Sequence, residues 1–384
     1  MRNTIQRAIF EGKQANVLPK VKNKASKKGI FLSSTALLYK EIAKGNITEL
    51  SIPAFNIRTL TFDTACSIFK AAKKQKASAF ILEIAKSEME YTSQTPEEFV
   101  LCALGAAIKE KYKGPIFLQG DHFYLKETSE GAIKNLENLI IKSLKAGFYN
   151  IDIDCSGLSS ENNIKYTNYF VDFIKKNKPQ EVEVAIGGEV SSIGGANTTI
   201  QQLEQFLKNV QGLSKVACQT STKHGGKVLA SGKIEKVDVD FESIKKLGKI
   251  ARQYGAAGIA QHGASTLQEN QFEGLFKVGV LEVHLSTLFM DIILDSRYFL
   301  KDLKEQMYFY VLQNFTEQRK QFESDEQFIK VFRKKSIGVF KKNLWQIPKK
   351  NVKAISKELE EKFMFFFKVF GANNTRDLVK KLYT

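Results

Sequence analysis

The chain has 384 residues, 43% of them hydrophobic and 26% charged, a balance that builds a sizeable core and excludes an intrinsically disordered chain. Its formal net charge of +17 is mostly lysine scattered along amphipathic stretches such as Lys73-Lys74, Lys175-Lys176 and Lys245-Lys246, which fits a solvated surface that draws in small anions better than a nucleic-acid face. The opening MRNTIQRAIFEGKQANVLPK holds no signal-like apolar run and Phe363-Met364-Phe365-Phe366-Phe367 is too short to cross a bilayer, so a soluble cytoplasmic protein is expected, with neither membrane nor nucleic acid as partner.

Residues 1–50 are expected to form a helical, lysine-rich lead-in. From about residue 50, short β-rich runs alternate with longer amphipathic ones, the pattern of repeated βα units. Strands are predicted at 51–56, 79–84, 116–119, 150–154, 182–186, 216–219, 257–261 and 281–285. Helices are predicted near 61–76, 96–112, 130–146, 163–177, 200–210, 241–254 and 268–277, with another after 288. Strand–helix repeats of this number make a (β/α)8 TIM barrel over 51–300, the catalytic domain. A doubly wound sheet stops sooner, and no Gly-x-Gly-x-x-Gly follows the first strand. Residues 301–384 are expected as a helical extension whose Phe332, Phe340, Trp345, Phe365, Phe366 and Phe367 pack against the barrel or a second subunit.

The four cysteines, Cys66, Cys102, Cys155 and Cys218, lie far apart in apolar segments and fit reduced core thiols. The chain has only four histidines, and they are informative: His122 ends the third predicted strand, His224 follows the sixth, His262 ends the seventh and His284 lies in the eighth. Barrel active sites collect at the C-terminal ends of the strands. One histidine alone is more often a satisfied core residue, but several at one mouth point to a metal. Three neutral imidazoles with an open fourth position make a catalytic zinc site, in which the ion polarises a carbonyl or ionises a water.

Gly120-Asp121-His122, Lys223-His224-Gly225 and Gln261-His262-Gly263-Ala264-Ser265 resemble the metal-binding motifs of the class II, zinc-dependent fructose-bisphosphate/tagatose-bisphosphate aldolase family. The resemblance covers about residues 50–300. Pro53-Ala54-Phe55-Asn56, Ile153-Asp154-Cys155-Ser156 and Glu189-Val190-Ser191-Ser192-Ile193-Gly194-Gly195 support it in order and approximate spacing. It implies His122, His224 and His262 as ligands of one zinc, or another divalent ion, per subunit, with Asp121 as catalytic acid/base. It further implies substrate or phosphate contacts from Asn56, Gly225, Gly263, Ser265, Thr266, His284, Ser286 and Thr287, and a supporting or second-metal role for Asp154 and Glu189. The implied reaction is aldol cleavage or formation in a phosphorylated ketose of the fructose-1,6-bisphosphate kind, through a zinc-stabilised enediolate. Carbohydrate metabolism of the glycolytic type and a homodimer or homotetramer follow from the same resemblance.

The chain departs from that pattern in several places. His284-Leu285-Ser286-Thr287-Leu288 stands where the family has Asn-x-Asp/Gly-Thr-Asp, Ala85 replaces a serine, Gln119-Gly120 replaces His-x, and Ala196-Asn197-Thr198-Thr199 lacks the loop carboxylate. His284 is open to three roles: a base, a fourth metal ligand, or a hydrogen-bond partner of the ligand sphere. Three other functions are weighed: a Schiff-base aldolase using Lys223 or Lys215, a non-catalytic barrel subunit with a binding or regulatory role, and a metal-dependent hydrolase, disfavoured because no His-x-His follows the first strand. Retention of Asp121 and the three histidines favours the metal enzyme.

Overall fold

Short runs such as Ile52–Asn56 and Ile81–Ala85 are buried at every position, as parallel strands covered by helices outside and side chains inside must be. The computed structural model describes residues 1–222, 228, 229, 235, 237–321 and 323–383. Its strands are β1 (Ile30–Ser33), β2 (Ile52–Asn56), β3 (Ile81–Ala85), β4 (Gly114–Tyr124), β5 (Asn150–Asp154), β6 (Ala185–Glu189), β7 (Lys215–Ala217), β8 (Ile259–Gln261) and β9 (Glu282–Leu285). All pair in parallel, and β2 to β9 close on one another, with Ala54 of β2 opposite His284 of β9. The expected (β/α)8 barrel is therefore the fold.

Its helices begin where side chains satisfy their first free N–H groups. Thr95, Ser129, Ser159, Thr199 and Asp240 each accept from the backbone three residues on, an interaction worth about 1 kcal/mol per helix. The helices Thr61–Gln75, Pro96–Glu110, Glu130–Ala146 and Phe241–Gln253 lie within two residues of the predicted bounds.

The lead-in differs from the sequence reading, because it contains a strand as well as helices. β4 is 11 residues long, so one of its edges serves two neighbours: β1 takes Gly114 to Phe117, and β5 takes the stretch from Gln119 onward. The helix that follows, Ala36–Ala43, drives Leu38 and Tyr39 into the N-terminal end of the barrel. They pack there with Ile52, Ile81, Phe117 and Leu281, and with Val379 of the last helix, Arg376–Tyr383. The Tyr383 hydroxyl donates to Ser34 O at 2.7 Å. Both ends of the chain thus seal the bottom and leave the opposite mouth for chemistry. On the outer wall, Phe363 and Phe367 of helix Lys349–Val369 sit 4.9 and 5.4 Å, ring to ring, from Phe55 of β2.

Barrels of this kind usually fill their centre with branched apolar side chains, but here only the lowest layer is apolar. Above it the Lys215 ammonium lies 2.9 Å from Asp152, donates to Gln119 Oε1 at 2.9 Å and pairs with Glu282. Glu282 also accepts from the Tyr39 hydroxyl and from Gln119 Nε2. Burial opposes the charge on Lys215, yet Asp152 and Glu282 outweigh it and hold the pKa above the usual lysine value. Lys215→Met would leave both carboxylates without their cation. It is expected to cost about 3–5 kcal/mol, the penalty for breaking a buried ion pair, read as a lowered urea midpoint; an unchanged midpoint would show that the network carries no stability.

Candidate metal centre

The site begins at an irregularity in β4. Gly120 pairs with Ile151 and Phe123 with Ile153, so β4 carries one more residue than β5 between these pairs, which is a β-bulge. His122 absorbs it with φ of +43°, in the left-handed region that a non-glycine residue seldom adopts. Gly120 is fixed by packing, since a Cβ there would lie 2.4 Å from the Phe123 ring. In a regular strand Asp121 and His122 would point to opposite faces; at the bulge both turn into the mouth.

Three imidazoles meet there in a row. The His122 and His262 rings are 4.3 Å apart and the His262 and His284 rings 4.0 Å. Glu189, at the end of β6, brings Oε1 to 3.0 Å from His262 Nε2 and 3.3 Å from His122 Nδ1. Asp154, at the end of β5, lies 3.0 Å from His122 Nδ1 and is itself held by the backbone and hydroxyl of Ser156 at 3.1 and 2.6 Å. His284 faces carboxylates on both sides: Nδ1 is 3.0 Å from Glu83 and 3.6 Å from Asp121, and Nε2 is 2.7 Å from Glu282. Two sets of ligand atoms, His122 with Glu189 and His262, and Asp121 with His262 and His284, each converge within 4.8 Å.

Electrostatics and donor chemistry both fit a divalent ion. Burial pushes Glu189 up to about 8 and Asp121 up to about 7. Burial works against charge on His122 and His284 as well, but Asp121, Glu189 and Asp154 around the first, and Glu83 and Glu282 around the second, hold both above the usual histidine value. Acids and imidazoles here share protons, and a bound cation takes the place of such protons. Both Glu189 oxygens are buried and accept no well-aligned hydrogen bond, although two ring nitrogens stand beside them. Imidazoles and a carboxylate converging in a largely buried pocket suit zinc or a similar ion.

Of the residues expected at the site, Asp121, His122, His262, His284, Asp154 and Glu189 come together. His224 and Gly225 lie outside the described residues, as does Lys223. The other expected contacts form the rim. Asn56 ends β2 and donates to Glu88, Gly263 turns the chain with φ of +69° after His262, and the Thr266 hydroxyl donates to Gly263 O at 3.2 Å. Ser265 Oγ accepts from Ser286 N at 2.7 Å, and Thr287 opens the helix Thr287–Asp295. Sequence reasoning missed Arg58, Glu88 and Glu282. Glu88 lies in Lys86–Thr92, a helix of 7 residues too short to show a period. Glu282 was hidden in a run taken as a buried apolar strand.

The family model for class II fructose-bisphosphate aldolases matches residues 38–374. No curated protein matches the chain by sequence. Among solved structures, the fructose-bisphosphate aldolase of Campylobacter jejuni superimposes with a TM-score of 0.58 at 18% identity, covering 90% of this chain and 97% of its own. The YdjI aldolase from Escherichia coli K12 gives 0.53 at 16% identity, covering 89% and 98%. The fructuronate-tagaturonate epimerase UxaE from Cohnella laeviribosi gives 0.59 at 12% identity, covering 85% and 82%. At these identities the likeness shows the fold, and a fold hosts more than one reaction.

Proposed function

The chain belongs to the class II fructose-bisphosphate aldolase family, and from that membership we propose that it is a metal-dependent lyase that makes or breaks a carbon–carbon bond beside the carbonyl of a phosphorylated ketose. The observation that carries this reading is the cluster of His122, His262 and Glu189 with Asp121 at its side. Zinc, one per subunit, is the proposed ion, held by His122, His262 and His224. His224 is assigned by the family motif Lys223-His224-Gly225 alone. Glu189 and Asp154 orient His122, as carboxylates do beside metal-bound imidazoles.

When bound, the ion supplies a Lewis acid for the carbonyl oxygen. The chain's own work is proton transfer and positioning. In cleavage, the Asp121 carboxylate accepts the proton of the hydroxyl on the carbon that becomes the departing aldehyde, and in condensation it returns a proton to that same oxygen. His284 has both nitrogens against carboxylates, which favours a positioned partner of Asp121 over a metal ligand. The loop lacking the family's carboxylate uses its polar groups structurally: Asn197 Oδ1 accepts from Ser221 N at 2.6 Å, and the Thr198 hydroxyl donates to Ser191 at 3.1 Å.

A Schiff-base mechanism finds little support at Lys215, whose amine is held as ammonium below the site. A binding-only barrel would have no use for a strained His122 beside an acid of near-neutral pKa. No helix among the described residues is long and apolar enough to cross a membrane. A cytoplasmic homodimer or homotetramer remains part of the proposal.

The test is metal analysis of the purified protein together with a screen of phosphorylated ketoses, with and without chelator. About one equivalent of divalent metal is expected, along with turnover that chelator abolishes and zinc restores. Turnover that resists chelator, with a borohydride-trapped ketose adduct, would transfer the chemistry to a lysine. Folded protein that never retains metal would sink the reading.

A further inference from the structure

The reaction as derived leaves open what holds His284 in its place. The residue is 4% exposed and enclosed by acids: Glu282 lies 2.7 Å from Nε2, with Glu83 3.0 Å and Asp121 3.6 Å from Nδ1. Glu282 and His284 are two residues apart on β9, so both point into the barrel, one layer above the other. Glu83 of β3 and Gln119 of β4 are register partners and lie side by side.

One amide ties Glu83 and Glu282 together. Gln119 Nε2 donates to Glu83 Oε2 at 3.0 Å and to Glu282 Oε1 at 2.8 Å. Chemistry fixes which way that amide faces, because its Oε1 accepts from the Lys215 ammonium at 2.9 Å and an ammonium only donates. Glu282 is also held from below. Its Oε2 accepts from the Tyr39 hydroxyl, and Tyr39 belongs to the helix Ala36–Ala43 of the lead-in, outside the βα units of the barrel. Glu83, Gln119, Glu282 and Tyr39 are all buried, so these bonds are made away from bulk water and hold more firmly.

A ring gripped at both nitrogens has one orientation. Rotation would carry the nitrogens away from their acids, and a buried donor left without an acceptor is costly. With the ring fixed, its other neighbours are set as well: it lies 4.0 Å, ring to ring, from His262, and its Nδ1 is turned toward Asp121. Gln119 and His284 are two of the positions at which the chain departs from its family's motif, and in space Glu83 and Glu282 join them into one unit. We infer that Glu83, Gln119 and Glu282 form a clamp that positions His284 against Asp121, and that Tyr39 makes the N-terminal lead-in part of it. Glu282 and Tyr39 are thus positioning residues that act on the acid/base through His284. The inference rests on the function proposed above for what Asp121 does, whereas the clamp itself needs neither metal nor substrate.

The experiment uses the scarcity of histidine. With four in the chain, isotope-labelled histidine in the full-length protein gives four imidazole signal sets by NMR, and His284→Asn identifies the set that disappears. Metal-free and zinc-loaded spectra are recorded for wild type, Tyr39→Phe, Gln119→Met and Glu282→Gln, and kcat, KM and metal content are measured for each. In every variant the His284 signals are expected to shift. With them kcat should fall about tenfold or more, the lower end of the loss when partners one step removed from a metal site are changed, while KM and metal content stay as in wild type. A purely structural role would lower the unfolding midpoint and leave kcat per folded molecule unmoved. Unshifted His284 signals in Gln119→Met would overturn the clamp, and unshifted signals in Tyr39→Phe would remove the lead-in from it. Shifted signals with unchanged kcat would overturn its role in the reaction. Should Glu282→Gln fail to fold because Lys215 loses a counter-ion, the other two variants still decide. A protein that turns over no ketose would sink the aldolase reading, and the metal-free ring signals would then decide the clamp alone.

Discussion

His262→Ala is expected to empty the metal centre and to lower kcat/KM by about a thousandfold or more while the protein stays folded. His262 is the middle ring of the three, 4.3 Å from His122 and 4.0 Å from His284, and it is shared by the set that contains Glu189 and the set that contains Asp121. Lewis-acid stabilisation of a developing oxyanion is worth several kcal/mol; about 4 kcal/mol corresponds to about three orders of magnitude in rate. The fold should survive because the residue left behind is not an unpaired charge: Glu189, 3.0 Å away, is pushed up to about 8 by burial and can keep a proton at neutral pH. Metal content by elemental analysis and kcat/KM on a turned-over ketose check the result. His224→Ala, run alongside, is expected to lose the ion too; if it keeps the ion, Glu189 is the third ligand. A His262→Ala protein that holds metal as wild type does would refute the centre.

The barrel was legible in the chain because β-rich runs such as Ile52–Asn56 and Ile81–Ala85 alternate with amphipathic stretches, and helices such as Glu130–Ala146 and Pro96–Glu110 carry their own capping residues. β1 was not legible. Ile30-Phe31-Leu32-Ser33 is four residues between lysine-rich helices, and its partner edge exists only because β4 runs to 11 residues. The site was legible as a list of residues and not as a shape. Neighbours such as Asp121 and His122 should face apart on a strand, and nothing local announces a left-handed histidine or the bulge that turns both inward. Glu189 was visible as a residue with a supporting or second-metal role, and in space it contacts two of the three rings. Lys215 looked like a candidate nucleophile until Asp152 and Glu282, 63 and 67 positions away in sequence, proved to neutralise it. Pairings of this kind are tertiary facts, and periodicity carries no trace of them.

Asp121→Asn should separate proton transfer from metal binding. The amide matches the carboxylate in size, so at a position only 5% exposed no cavity is created, and Gln119, Gly120 and the bulge keep their places. The asparagine cannot take up the hydroxyl proton, and kcat is expected to fall by about a hundred- to ten-thousandfold, the span assigned to a positioned general acid or base, with KM nearly unchanged. Metal content decides the residue's role. Asp121 Oδ1 stands 4.0 Å from His122 Nε2 and 3.6 Å from His284 Nδ1, so it is close enough to serve either as proton carrier or as part of the set with His262 and His284. Slow turnover with a full complement of ion assigns it to the proton. Slow turnover with the ion lost assigns it to the ligand sphere and moves the acid/base role to His284, whose nitrogens already face Glu83 and Glu282. Undiminished kcat would remove Asp121 from the reaction, and with it the reason for the bulge that brings it beside His122.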